Sequence, residues 1–206
     1  MVPETKRWER RATARPTELA AAALALFSER GFAATRLDDV AARAGVSKAT
    51  VYLYFKNKEE LFEAVVHTAV LPRVEQAEML ADAFEGSTPN LIRTLVTLFE
   101  AALDSPFPAI AKLIIAESGN FPELAKLWSK VVLQHALALF KRIIERGIER
   151  GEFRQVDPDA AAPLLIAPVM LLGIWQQAFA PHAAITLDRH AVLSTHVDVL
   201  LRGLAA

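Results

Sequence analysis

This sequence predicts an all-α protein, and three observations carry the prediction. Only eight glycines occur in 206 residues, so long helices are seldom interrupted. Apolar residues recur at helical spacing, and no stretch keeps the two-residue alternation of a strand. Ser, Thr, Asp or Asn stands repeatedly just before a proline or two to three residues before an acidic residue, the mark of a helix start, and glycine or proline marks several helix ends. A hydrophobic content of 53% implies a large core, plus apolar surface that is buried in some other way. The absence of cysteine excludes disulfides, thiolate metal sites and cysteine nucleophiles.

Lys6, Arg7, Arg10, Arg11 and Arg15 form a basic arm at the start of the chain. Two readings of it stand: an arm that reaches a phosphate or a minor groove, or a solvated charged tail. These opening residues hold no apolar run that would serve as a secretory signal, so a cytoplasmic protein is expected. The first helix is expected from Pro16, suited to the first helical position, to just before Gly31. Its inward side chains are Leu19, Ala23, Leu26 and Phe27, and its role is support.

The stretch Thr35 to Lys58 organises the rest. Thr35 followed by Asp38 reads as a capping start. Leu37, Val40, Ala41 and Ala44 then give the apolar face of a short second helix. Gly45 suits the left-handed position that ends it. Ser47 caps a third helix, with Val46 and Val51 as the hydrophobic staple that fixes its entry angle. With Val51 and Phe55 turned inward, Lys48, Ala49, Thr50, Tyr52 and Tyr54 are left outside. That set of side chains suits a major groove and its phosphates. A hairpin that merely packs would leave the two tyrosines beside Lys48 and Lys58 unexplained. Asn57 caps a fourth helix with Leu61, Phe62, Val65, Val66 and Ala69 on its apolar face, expected to run to about Leu80.

The run Gly45 to Leu61, GVSKATVYLYFKNKEEL, together with Ala25 to Thr35, ALFSERGFAAT, resembles the DNA-binding segment of the TetR/AcrR family of bacterial transcription regulators. The resemblance implies that Thr35, Tyr54 and Lys58 grip phosphates while Lys48, Ala49, Thr50 and Tyr52 lie along base edges, with Ser47 capping the reading helix in the same DNA-binding set. On that reading Lys58→Ala should lower the salt dependence of binding by about one phosphate contact. Charge agrees in sign. Residues 1–60 carry eleven Lys or Arg against eight Asp or Glu, a net of +3, whereas the remainder carries twelve against sixteen, a net of −4.

Thr88-Pro89 is expected to start a helix that reaches Leu103, and Ser105-Pro106 another that reaches Ser118. A long helix should run from Pro122 to Arg150 and close at Gly151. Asp157-Pro158 should start a helix to Phe179, and Thr186 or Asp188 the last one, to Leu204. The run Leu113 to Leu124, LIIAESGNFPEL, is similar to a motif of TetR/AcrR proteins with an AefR-like C-terminal domain, which supports a ligand-responsive regulator.

Residues 160–180 carry no charge over 21 positions, nominally enough to cross a bilayer. Pro163, Pro168, Gly173 and Gln176-Gln177 interrupt the run, and no basic cluster flanks it, so no membrane span is expected. The alternative is a helix covered on one side by its own core and on the other by a partner subunit. In the family that the chain resembles, the last two helices of each subunit pair across a two-fold axis, and a homodimer of that kind is expected here. Leu187, Ala191, Val197, Leu200, Leu201 and Leu204 would supply the apolar surface of the final helix, and Asp at Leu201 or Ile174 should break the dimer.

No nucleophile elbow, glycine-rich phosphate loop or Glu-x-x-His pattern occurs, and the five histidines are scattered, so no catalytic residue, metal site or cofactor is expected. Phe99, Phe107, Leu113, Phe121, Trp128, Met170 and Trp175 could instead wall an apolar pocket, with Glu117, His135 and Gln176 as its few polar groups. Each of these could equally serve core packing or an exposed helical face. The expected protein is therefore an all-α repressor with two parts. Residues 1–60 would form a three-helix DNA-binding domain with its helix-turn-helix, and residues 61–206 a larger helical ligand-binding and dimerisation domain. Its partners would be a double-stranded DNA operator, a small hydrophobic effector and a second copy of itself. An interaction protein without operator binding and a small helical enzyme are the alternatives.

Overall fold

The computed structural model describes residues 4–206, with side chains from Arg15 onward. The helices are α1 Glu4–Ala34, α2 Leu37–Arg43, α3 Lys48–Tyr54, α4 Lys58–Ala69, α5 Leu71–Ala83, α6 Thr88–Ala102, α7 Phe107–Glu117, α8 Pro122–Trp128, α9 Gln134–Glu149, α10 Pro158–Ile174 and α11 Arg189–Leu204. A π turn at Ser129–Leu133 joins α8 to α9, and another at Trp175–Phe179 follows α10. Among the described residues the only β feature is an isolated bridge between Phe153 and Ala205. The side chains of Lys6, Arg7, Arg10 and Arg11, expected as a basic arm, lie outside the described residues.

The chain forms two compact units, one of Met1–Leu71 with Leu113–Trp128, the other of Pro72–Lys112 with Ser129–Ala206. The expected division at residue 60 thus falls inside α4, and a later segment joins the first unit.

In the first unit α1 packs mainly on α4, α2 on α3, and α4 also on α8. Leu19, Ala23, Leu26 and Phe27 of α1 are buried, as are Val40, Val51, Leu61, Phe62, Val65 and Val66. Four rings, Phe27, Phe32, Phe62 and Phe121, meet with centroids 4.9–5.9 Å apart. The edge-to-face contacts among them suit the quadrupoles of the rings.

In the second unit α6, α9, α10 and α11 close a ring in which each packs on two others. Leu91, Ile92, Leu95, Phe140, Ile143, Ile144, Leu165, Val169, Leu193 and Val197 fill it, with Ala77 and Ala81 of α5. Truncating one of the larger of these side chains to alanine costs about 2–5 kcal/mol.

Local signals suffice where a side chain closes a helix end by itself. Asn57, Asp157 and Asp188 accept backbone N–H bonds from Glu60, Asp159 and Ala191. Several expectations need correction. α1 begins upstream of Pro16, which lies inside it. The cap of α2 is Arg36, whose N–H donates to Asp39 Oδ2 at 3.2 Å, and Thr35 caps nothing. α4 stops at Ala69. Pro72 has no N–H to return to the Thr68 carbonyl, which weakens the ladder where α4 gives way to α5. The long helix expected from Pro122 does run without a break to Glu149, with one π turn inside it at Ser129–Leu133. The helix Pro158–His182 is long and apolar enough to cross a membrane, and a third of its most apolar stretch is buried inside the fold.

Candidate nucleic-acid interface

The corner from α2 into α3 begins with backbone geometry. Gly45 sits at φ 65°. Its N–H donates to Ala42 O at 3.3 Å and that of Val46 to Ala41 O at 3.0 Å, the paired bonds of a Schellman ending. Ser47 then caps α3 by accepting the Thr50 N–H at 3.2 Å. Its hydroxyl also lies 2.8 Å from that of Thr50. Val51 is buried beneath. These constraints turn one face of a seven-residue helix outward.

On that face Lys48 and Ala49 are exposed, Tyr52 is 54% exposed and Leu53 77% exposed. Thr50 and Tyr54 are half-buried. Lys48 Nζ donates to Asp38 Oδ2 at 2.5 Å, a pair that spacing along the chain does not announce. That hydrogen bond, helped by the carboxylate charge, raises the pKa of Lys48, so the ammonium is held charged. Beside α3 an open groove of about 400 Å³ runs between Arg36, Leu37, Asp38, Tyr52 and Lys58.

Two residues expected to grip phosphates are used differently. Thr35 is 2% exposed; its hydroxyl donates to Gly31 O at 2.8 Å and its amide to Phe32 O at 3.3 Å. It shapes the groove and has no donor left to offer. Lys58 Nζ donates to Phe32 O at 3.0 Å and Ala33 O at 3.1 Å, lying 4.5 Å from the centroid of Phe32 and 5.0 Å from that of Phe121. Two carbonyls and two ring faces thus hold the ammonium at the edge of the groove. Arg36 and Leu53 stand on this surface without having been expected there. Leu53 was recoverable from helical spacing, since it stands four residues after Ala49.

The residues expected to wall a pocket fall in both units. In the first, Leu113 and Trp128 are buried. Glu117 Oε1 accepts the N–H groups of Phe32 and Ala33, and Phe121 packs on Phe32, so these two serve the structure of the first unit itself. In the second, Phe99 lies 5.7 Å from Phe140 and Trp175 lies 5.9 Å from Phe179. Phe107 and Met170 are half-buried and Gln176 is exposed. His135 faces outward and pairs with Glu78 at 3.3 Å, so it is no buried polar group. Lys112, not anticipated, donates to the Gln177 carbonyl at 2.8 Å beside the second π turn.

Residues 19–65 match the family described as bacterial regulatory proteins, tetR family, and residues 85–187 match the tetracyclin repressor-like C-terminal domain. The HTH-type transcriptional regulator YhgD of Bacillus subtilis (strain 168) is 29% identical over 193 residues, which span 90% of this chain and 94% of YhgD. The HTH-type transcriptional repressor KstR2 of Rhodococcus jostii (strain RHA1) is 26% identical over 200 residues, spanning 93% of this chain and 92% of KstR2. Among solved structures, FadR of Bacillus subtilis in complex with stearoyl-CoA shares the fold with a TM-score of 0.76 at 20% identity, covering 91% of this chain and 98% of FadR. These relatives are regulators of transcription and not enzymes. A capped, outward-facing third helix and a family match over both halves lead to one conclusion: the chain belongs to the tetR family of bacterial regulatory proteins.

Proposed function

We propose that the chain is a ligand-responsive repressor that binds a palindromic DNA operator as a homodimer and is released by a small hydrophobic effector. The observation that carries this reading is the outward face of α3, where Lys48, Ala49 and Tyr52 stand exposed behind a rigid turn. Thr50 and Tyr52 read base edges on this account, and Lys48 reads with them. Arg36, Lys56 and Tyr54 supply the phosphate contacts in place of Thr35 and Lys58.

The pairing surface is the exposed stripe Ala160, Leu164, Ala167 and Leu171 of α10, spaced at helical intervals, with Val199 of α11. A groove of about 360 Å³ lies between α10 and α11 beside Leu164 and Val199. Burying so apolar a face against a second copy removes it from water and holds two reading helices on one duplex.

The effector reading rests on the aromatic and aliphatic side chains of the second unit, and FadR bound to stearoyl-CoA supports an acyl or similarly apolar compound. An effector acts only through unequal affinity for the DNA-competent and DNA-incompetent states. The test is a screen of acyl and planar aromatic compounds by melting shift and by release from DNA. A compound at about a hundred times its Kd should stabilise the fold by about 2.7 kcal/mol and lower the affinity for DNA. Stabilisation by hydrophilic anions alone would contradict the apolar pocket. Melting shifts that never change DNA affinity would contradict the switch.

A further inference from the structure

We propose that Glu117 is a positioning residue for DNA reading, closing with Lys58 a two-sided clamp on the peptides of Phe32 and Ala33. The inference rests on the DNA-facing reading of α3. At Gly31 the backbone leaves the helix, at φ 82° and ψ 169°. A break of this kind takes backbone groups out of the helical ladder, and buried ones need partners from elsewhere. Glu117 Oε1 accepts the N–H of Phe32 at 2.9 Å and of Ala33 at 3.2 Å. Lys58 Nζ takes the carbonyls of the same two residues at 3.0 Å and 3.1 Å. One carboxylate and one ammonium, from segments far apart in the sequence, thus satisfy both sides of two consecutive residues.

Charge on each partner makes these bonds stronger than neutral ones. The fit also depends on Gly31, because a Cβ there would lie 3.0 Å from Glu117 Oε1. Phe121, four residues beyond Glu117, packs at 4.9 Å on Phe32 and seals the clamp with an aromatic ring. From the clamped residues the constraint passes outward. Thr35 binds back to Gly31 and Phe32, and Arg36 caps α2. Asp38 of α2 then holds Lys48 of α3. Glu117 touches none of the exposed side chains of α3, yet it anchors the corner from which both helices of the reading head are hung.

The experiment compares wild type with Glu117→Leu, Glu117→Gln and Lys58→Ala. The probe is the duplex that the wild type enriches from a random pool, titrated across a series of salt concentrations. Glu117→Leu should weaken binding about tenfold, with the slope against salt unchanged because every phosphate contact remains. Glu117→Gln, which keeps an acceptor oxygen, should recover most of the affinity. Lys58→Ala should likewise weaken binding and keep the slope. Amide exchange read without DNA gives a second measure: Phe32 and Ala33 should be protected in the wild type, less in Glu117→Gln and least in Glu117→Leu. Wild-type affinity in Glu117→Leu would overturn the proposal, as would unprotected amides in the wild type. A slope reduced by about one in Lys58→Ala would return that lysine to a phosphate and break the clamp. A wild type that enriches no duplex refutes the DNA reading itself, and does so before any variant is compared.

Discussion

Lys48 occupies the first position of α3 with its ammonium on Asp38, which makes the acid part of the proposed reading surface. The raised pKa of Lys48 means that the pair's contribution is fully present below the usual lysine value and is lost only as pH climbs through the folded one, far from neutrality. Asp38→Asn should therefore leave Lys48 charged and remove one negative charge beside the groove. Binding to any duplex should tighten severalfold at low salt and converge with wild type at high salt. Equal affinity at low salt would argue that this face does not meet DNA. Substitutions at Thr50 or Tyr52 should instead change which sequences are preferred, by about 1–3 kcal/mol for each base pair no longer read. His196 offers a test of pH. Burial lowers its pKa, opposed by a hydrogen bond to the Leu164 backbone, and its Nε2 is buried without a partner. A depressed histidine stabilises the fold fully above its usual value of about 6.5 and loses that contribution as pH falls through the folded value. Melting temperature should decline from about pH 7.5 towards about 5.5, and less steeply in His196→Gln; parallel profiles would contradict the assignment.

At the scale of elements, the readable signals are those held by one short side chain or one glycine. Ser47, Asn57, Asp157 and Asp188 cap the helices they precede, and Gly45 ends α2 at positive φ. Asn57→Ala should cost about 1 kcal/mol in denaturant unfolding. What was not legible depends on backbone breaks or on residues distant in sequence. Thr35 has the composition of a cap, but the break at Gly31 draws its hydroxyl backwards and leaves Arg36 in the capping place. Glu117 has the character of a polar group for a pocket, and only folding brings it to Phe32. The two π turns carry no composition mark at all. Gly147 gives the same lesson in the second unit. A Cβ there would lie 2.1–2.8 Å from the ring of Phe153. Gly147→Ala should force that ring out and loosen the strand-like bridge in which Arg154 N–H donates to Leu204 O at 2.9 Å. A decrease of about 1–3 kcal/mol in unfolding free energy is expected. A variant as stable as wild type would show that Phe153 moves freely.

For the whole molecule, composition points to a basic N-terminal end and to apolar surface in excess of one core. The excess of apolar surface was visible only in kind. Leu201 and Ile174, natural choices for the dimer face by hydrophobicity, are respectively buried and half-buried in the chain's own fold. Leu164 and Val199, 54% and 66% exposed, are the better probes. Leu164→Asp combined with Val199→Asp should release folded monomers in sedimentation, with the helical spectrum retained and DNA affinity abolished. Dimers that survive the double substitution would place the interface elsewhere. The central claim, that two copies present α3 to one duplex, is tested most directly by selecting bound DNA from a random pool and sequencing it. The account predicts an inverted repeat whose half-sites are centred about 10 base pairs apart, roughly 34–36 Å or a multiple of it. Enrichment of a single unrepeated half-site, or no enrichment at all, would contradict it.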